Sequence, residues 1–259
     1  MLILVGCQDT KAPNKKNDPP VNSSISITPY VIFSDNAVAN TGIAWDSKYN
    51  QLVHSKYNFH DNTYKLLFTT MNVVPVKEVD LTPLIDYIQG VSYNPHHDSF
   101  YVWATKKGYY PDPFTNSFVL VEVTREGRLL HKYELPSEFS YPGTAAYLSP
   151  NRLWVKGNTQ SMAYLYNLKA RKVLYEVDTG IHGEGIAITR SGNLWVHGDC
   201  VVRLLTPEGI TLKEFPSPTL YCEEEALVVD GEGNLWISVN EGSHRDIPNG
   251  NKVWKVTFE

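Results

Sequence analysis

Two carboxylates carry the chain's most suggestive chemistry: Glu184 and Glu225 stand 41 residues apart, and each precedes a tryptophan, Trp195 or Trp236, by 11 residues. Near them in the chain are His182, Glu223 and Glu224, followed by His197, Asp199, Glu241 and His244. Hard carboxylate oxygens in such a group suit Ca²⁺ first and Mg²⁺ next, whereas a mixed set with imidazole also suits Zn²⁺ or Mn²⁺. We take Glu184, Glu225, His182 and Glu224 as the candidate metal ligands. The competing reading is an acidic, water-filled lining. A second kind of chemistry is offered by KKGYYPDPFTNS, residues 106–117, whose Tyr109, Tyr110 and Phe114 stand among Pro and Gly. Aromatics presented on a loop are common recognition groups, able to stack on a sugar or anchor a protein partner. Gln89 joins this ligand-binding set because it occupies the position equivalent to Glu184 in an earlier unit. Covalent catalysis has no comparable support, since no Gly-x-Ser-x-Gly elbow is present and Cys200 and Cys222 have no base at a diagnostic spacing.

These residues share one period, and the period names the scaffold that must position them. SPNRLWVKGN, SGNLWVHGD and DGEGNLWISVN place Trp154, Trp195 and Trp236 at equal intervals of 41 residues. A helix-free unit of this length is expected to form one four-stranded antiparallel propeller blade. Val, Ile, Thr and the aromatics (16 Tyr, 9 Phe and 6 Trp) supply strand formers. In the fourth unit the strands read EGIAIT, GNLWVHG, CVVRLL and ITLKEF, split by turns at Ser191-Gly192-Asn193 and Pro207-Glu208-Gly209. The last unit ends one strand short, while residues 26–35, ISITPYVIFS, form a strand with no unit of its own. The expected fold is therefore an all-β, five-bladed propeller closed by that N-terminal strand, which removes exposed sheet edges. In domain terms, residues 1–25 are a leader and tether and residues 26–259 one propeller. The three tryptophans are expected between blades. Counting 11 residues back from each gives Gly143, Glu184 and Glu225, with Thr41 and Gln89 as equivalents, so the two carboxylates should face one mouth of the central channel.

Glu184-Gly185-Ile186-Ala187 followed by Gly192-Asn193-Leu194-Trp195 is similar to the blade signature of the gluconolactonase, NHL-repeat and SdiA-regulated propellers. The resemblance spans about residues 37–259. For a gluconolactonase-type enzyme it implies a divalent metal at the channel mouth, held by a first-blade Glu and by Asn and Asp from later blades. This chain has Thr41 at the first-blade position. At the N-terminus, Leu4-Val5-Gly6-Cys7 resembles the lipobox of bacterial lipoproteins, which implies a lipid on Cys7 and an extracytoplasmic, membrane-anchored location. The apolar run before it is shorter than a full signal peptide. The following QDTKAPNKKNDPPVNSS reads as a tether, too polar to form a core. In that compartment Cys200 and Cys222 are a possible disulfide.

A net charge of -5 and the lack of a Lys/Arg stripe remove the electrostatic footprint of a nucleic-acid binder. The leading expectation is a non-catalytic propeller that binds a protein, glycan or small molecule on its channel-mouth face, touching a membrane only through a lipid anchor. The alternatives are a metal-dependent hydrolase or lactonase and a structural subunit of a surface or virion assembly.

Overall fold

The computed structural model describes residues 19, 23–33, 38–106, 118–136, 139, 142–157, 161–218, 224–240 and 251–259. Its strands form five four-stranded antiparallel sheets. Blade one runs β2 (Val38–Asp46), β3 (Gln51–Asn58), β4 (Thr63–Thr69) and β5 (Pro75–Asp80) from the channel outward. Blade two follows with β6 (Ile85–Asn94), β7 (Ser99–Lys106), β8 (Phe118–Thr124) and β9 (Leu129–Glu134). Blade three has β10 (Pro142–Ser149), β11 (Arg152–Gly157), β12 (Met162–Asn167) and β13 (Lys172–Asp178). Blade four has β14 (Ile186–Ile188), β15 (Leu194–Gly198), β16 (Val201–Leu205) and β17 (Thr211–Pro216). Blade five takes β18 (Glu224–Val229), β19 (Leu235–Asn240) and β20 (Asn251–Phe258), and its outermost strand is β1 (Ile25–Phe33). The N-terminal strand thus closes the ring. It pairs antiparallel with β20 from Ile25 opposite Phe258 to Phe33 opposite Asn251.

Burial follows from this layout, because inner strands have neighbours on both sheet faces and outer strands do not. β2 is buried along nearly its whole length, while β5 and β9 alternate toward solvent. That double-sided burial explains why apolar residues occupy both parities of the inner strands. The core is divided among five seams. Trp154 packs with Ile186, Leu194 and Val196 of the next blade, Trp195 with Leu227, Leu235 and Ile237, and Trp236 with Ile43 and Leu52 across the closure. Trp195 also stacks on Phe258 with ring centroids 5.3 Å apart. Blades one and two join through Phe68, Phe100 and Val121, and blades two and three through Trp103, Leu153 and Tyr166. The periodic tryptophans are inter-blade packing.

The inner strands share one irregularity that matters for function. Their ladders shift register between Asn40 and Gly42, Ile88 and Gly90, Pro142 and Thr144, and Glu224 and Ala226. Each shift leaves one residue of the inner strand unopposed, as a β-bulge does, and a bulge re-aims its side chain. The unopposed residues are Thr41, Gln89, Gly143 and Glu225. Blade four differs: the expected strand from Glu184 is only Ile186–Ile188, and Glu184 lies in a bend before it. The preceding segment packs closely on the end of β15, where a Cβ on Gly183 would come 2.5 Å from the Gly198 Cα.

Candidate functional site

The four bulges bring Thr41, Gln89, Gly143 and Glu225, and the bend before β14 brings Glu184, to the channel mouth where the inner strands begin. Gln89 and Glu184 meet although 95 residues separate them: the Gln89 Nε2 donates to Glu184 Oε2 at 2.7 Å, from blade two to blade four. Gly143, in the blade between, makes this possible. A Cβ there would lie 2.4 Å from the Glu184 Cβ and 2.6 Å from its Cα, so only glycine leaves room for the carboxylate arm. Thr144 holds the same segment by donating its hydroxyl to the Glu184 carbonyl at 2.6 Å and accepting the Ile186 N–H at 3.2 Å. Glu184 is consequently only 8% exposed. Glu225 accepts from Asn240 Nδ2 at 3.4 Å.

Thr41 does not act as a ligand-bearing side chain toward the channel. Its hydroxyl donates to the Ile88 carbonyl at 2.9 Å and lies 3.0 Å from Ser55 Oγ, which pins blade one to blade two. Beside it, Asn40 is fully buried and neither amide atom of its side chain has a hydrogen-bond partner. The Gln89 Oε1 likewise lacks one. Buried polar groups of this kind are rare, because each costs about 1–3 kcal/mol when unpaired.

Behind the mouth, Lys156 is completely buried and its Nζ donates to the Ile181 carbonyl at 2.8 Å. Burial lowers its pKa to about 8, against the opposing pull of Asp199, Glu184 and Asp178. Sequence reasoning passed over Lys156 and Asn40. The signal for Lys156 was present: it follows Trp154 by two positions, as His197 follows Trp195, and both sit one layer behind the ring. The signal for Asn40 was adjacency to Thr41.

His182 turns away from the carboxylates toward Asp199, whose Oδ2 accepts the His182 backbone N–H at 2.8 Å and lies 3.3 Å from its Nδ1. That side chain is 64% exposed. Asp199 and Cys200 form the tip of the β15–β16 turn with φ of 48° and 62°, the left-handed pair of a tight hairpin. Cys200 is disulfide-bonded. The other cysteines, Cys7 and Cys222, lie outside the described residues, as do Tyr109, Tyr110, Phe114 and the side chain of Glu224.

Among the described residues, no three His, Cys, Asp or Glu side chains gather to hold an ion. With Thr41 committed to Ile88, the described residues do not reproduce the metal set that the gluconolactonase resemblance implies. The arrangement they do make is a polar mouth with one carboxylate bridged to an amide, a second carboxylate nearby in the ring, and unsatisfied amide groups beside them.

No family model matches the chain, and no curated protein matches it. Similar solved structures exist at low identity. Glutaminyl cyclase from Myxococcus xanthus has a TM-score of 0.63 at 11% identity, covering 93% of this chain and 98% of that one. A gluconolactonase from Xanthomonas campestris has a TM-score of 0.53 at 11% identity, covering 94% and 95%. A nidogen/laminin complex has a TM-score of 0.52 at 11% identity, covering 78% and 73%. At this identity the likeness concerns the propeller fold, which evidently carries both enzymes and a protein complex, and fold alone does not assign an activity.

Proposed function

We propose that this chain is a binding propeller with no reaction of its own, taking a small polar ligand or a partner's side chain with a cationic group at the channel mouth. The observation that carries the reading is the Gln89–Glu184 bridge, whose Gln89 Oε1 has no hydrogen-bond partner. An ammonium or similar donor group would find acidic charge at Glu184 and Glu225 and a carbonyl acceptor at Gln89. The aromatic segment with Tyr109, Tyr110 and Phe114 would supply a second contact on the same face. In this reading the protein works outside the cytoplasm, anchored to a bacterial membrane through Cys7, and meets no nucleic acid.

A metal-dependent hydrolase is the second reading, favoured only by the two ring carboxylates. One experiment separates the two. Melting temperature is followed with Ca²⁺, Mg²⁺, Mn²⁺ or Zn²⁺, and separately with small organic ammonium compounds, for the wild type and for Glu184→Gln with Glu225→Gln. A ligand of the folded state at a hundredfold excess over its Kd adds about 2.7 kcal/mol. Stabilisation by ammonium compounds that is lost in the double variant supports binding. Stabilisation by a divalent ion, accompanied by lactone hydrolysis that the double variant abolishes, replaces it with the enzyme reading. No response to any of these, with a double variant more stable than wild type, removes both and leaves a structural subunit.

A further inference from the structure

The far end of the channel is built quite differently from the mouth. There the C-terminal halves of the five inner strands, together with the turns that follow them, enclose a hollow of about 440 Å³. That size falls within the range of small-molecule sites, about 300–1,000 Å³. Every blade contributes an apolar residue to its wall: Ile43, Val91, Ala145, Ala187 and Leu227. At three positions of this wall a small inner-strand residue lies opposite a large residue of the second strand. Ser92 lies opposite Tyr101, Ala146 opposite Trp154 and Ala187 opposite Trp195.

Among the described residues, two charged ones line this hollow, Asp230 and Arg190, and of these Arg190 is the one available to a ligand. Asp230 is buried and saturated: Oδ1 accepts the backbone N–H groups of Glu232 and Asn234, while Oδ2 accepts from Trp236 Nε1 and Asn234 Nδ2. Arg190 is exposed and spends one nitrogen, Nη2, on the Gly231 carbonyl at 2.6 Å, which positions the guanidinium at the rim with further N–H groups to offer. A wall that mixes apolar side chains with the hydroxyls of Ser47, Ser92, Thr189 and Ser191, with the Arg190 guanidinium at its edge, is complementary to a largely apolar body carrying one anionic group.

We propose that the hollow is a second ligand site, which takes a small organic anion with its apolar or aromatic body inward and its carboxylate or sulfonate on Arg190. The site is separate from the mouth in position and opposite in charge preference, so it stands or falls independently of the function proposed for Glu184 and Glu225.

Two fluorescent probes of similar shape test it on the full chain: the anion anilinonaphthalene sulfonate and its uncharged counterpart phenylnaphthylamine. Both should bind at one saturable site. Arg190→Gln changes an exposed residue, and it should weaken the anionic probe about tenfold or more while leaving the neutral probe's affinity unchanged. Ala146→Leu, which fills the hollow, should abolish binding of both. Glu184→Gln should alter neither. The proposal is overturned if the anionic probe shows no saturable binding to the wild type, or if Arg190→Gln weakens both probes equally or neither. If Ala146→Leu fails to fold, the Arg190→Gln comparison decides alone.

Discussion

The two ends of the central channel are made from the same five inner strands, yet they share almost no chemistry. At the mouth, each inner strand but that of blade four bulges, and the freed positions hold Thr41, Gln89, Gly143 and Glu225. Polar groups there are closely engaged: Gln89 with Glu184, Thr144 with the Glu184 carbonyl, and Lys156 with Ile181. A few residues further along, the channel opens into a hollow beside Arg190, walled by Ile43, Val91, Ala145, Ala187 and Leu227 from the five blades. The comparison teaches that the fivefold backbone supplies only a tube. Register irregularity decides polarity at one end, and side-chain volume decides space at the other.

The largest effect should come from breaking the ring that both ends depend on. Deleting residues 1–36 removes β1 and leaves the β20 edge open, and the expected loss approaches the whole folding stability, about 5–15 kcal/mol. Deleting residues 1–22 should leave the melting curve unchanged, since β1 and its pairing with β20 are retained. Equal melting of the two truncations would refute closure by β1.

The next effect belongs to the mouth face. Peptide mapping of the unreduced chain should recover Cys200 linked to Cys222, and reduction should cost about 2–4 kcal/mol while leaving probe binding in the far hollow intact. Recovery of Cys222 as a free thiol, or reduction that empties the hollow, would break the separation of the two ends.

Alkaline titration sharpens the same contrast. Burial lowers the Lys156 pKa from 10.5 to about 8, so the charged form is disfavoured in the folded state. Between those pH values Lys156 holds its proton more in the unfolded chain, so its contribution to stability should rise with pH, by up to about 3 kcal/mol, against the opposite contribution of Tyr93, Tyr101, Tyr133 and Tyr147, whose pKa values burial raises. Lys156→Met should flatten that rise in urea melts taken from pH 8 to 10.5. Arg190 lies at the far end, away from Lys156, so Arg190→Gln should leave the slope alone. A slope that survives Lys156→Met assigns the titration elsewhere.

A smaller difference is expected for additions of a single heavy atom. Gly143→Ala must displace the Glu184 arm and should cost about 1–3 kcal/mol, with loss of any mouth ligand. Ala146→Ser, which adds a hydroxyl at the buried wall of the hollow, should cost less, about 1 kcal/mol or under, by chemical denaturation. Equal costs would mean that the hollow is packed as tightly as the mouth.

The architecture was legible from local pattern alone. A 41-residue spacing of Trp154, Trp195 and Trp236, turn residues between apolar runs, and a spare strand at one end with a missing strand at the other determine five blades and their closure. Such signals survive in one dimension because every blade repeats the same local problem, burying two faces of a short sheet. The sequence also placed Glu184 and Glu225 at one mouth, by counting from those tryptophans. What each carboxylate touches was decided in three dimensions. Glu184 reaches Gln89 across 95 residues only because blade three presents Gly143, and the segment before blade four's inner strand packs Gly183 against Gly198. His182 is adjacent in sequence but turns to Asp199. Burial of Lys156 and the hollow under Arg190 are properties of several blades at once, sums of side-chain volume and register around a closed ring, and no single repeat contains them.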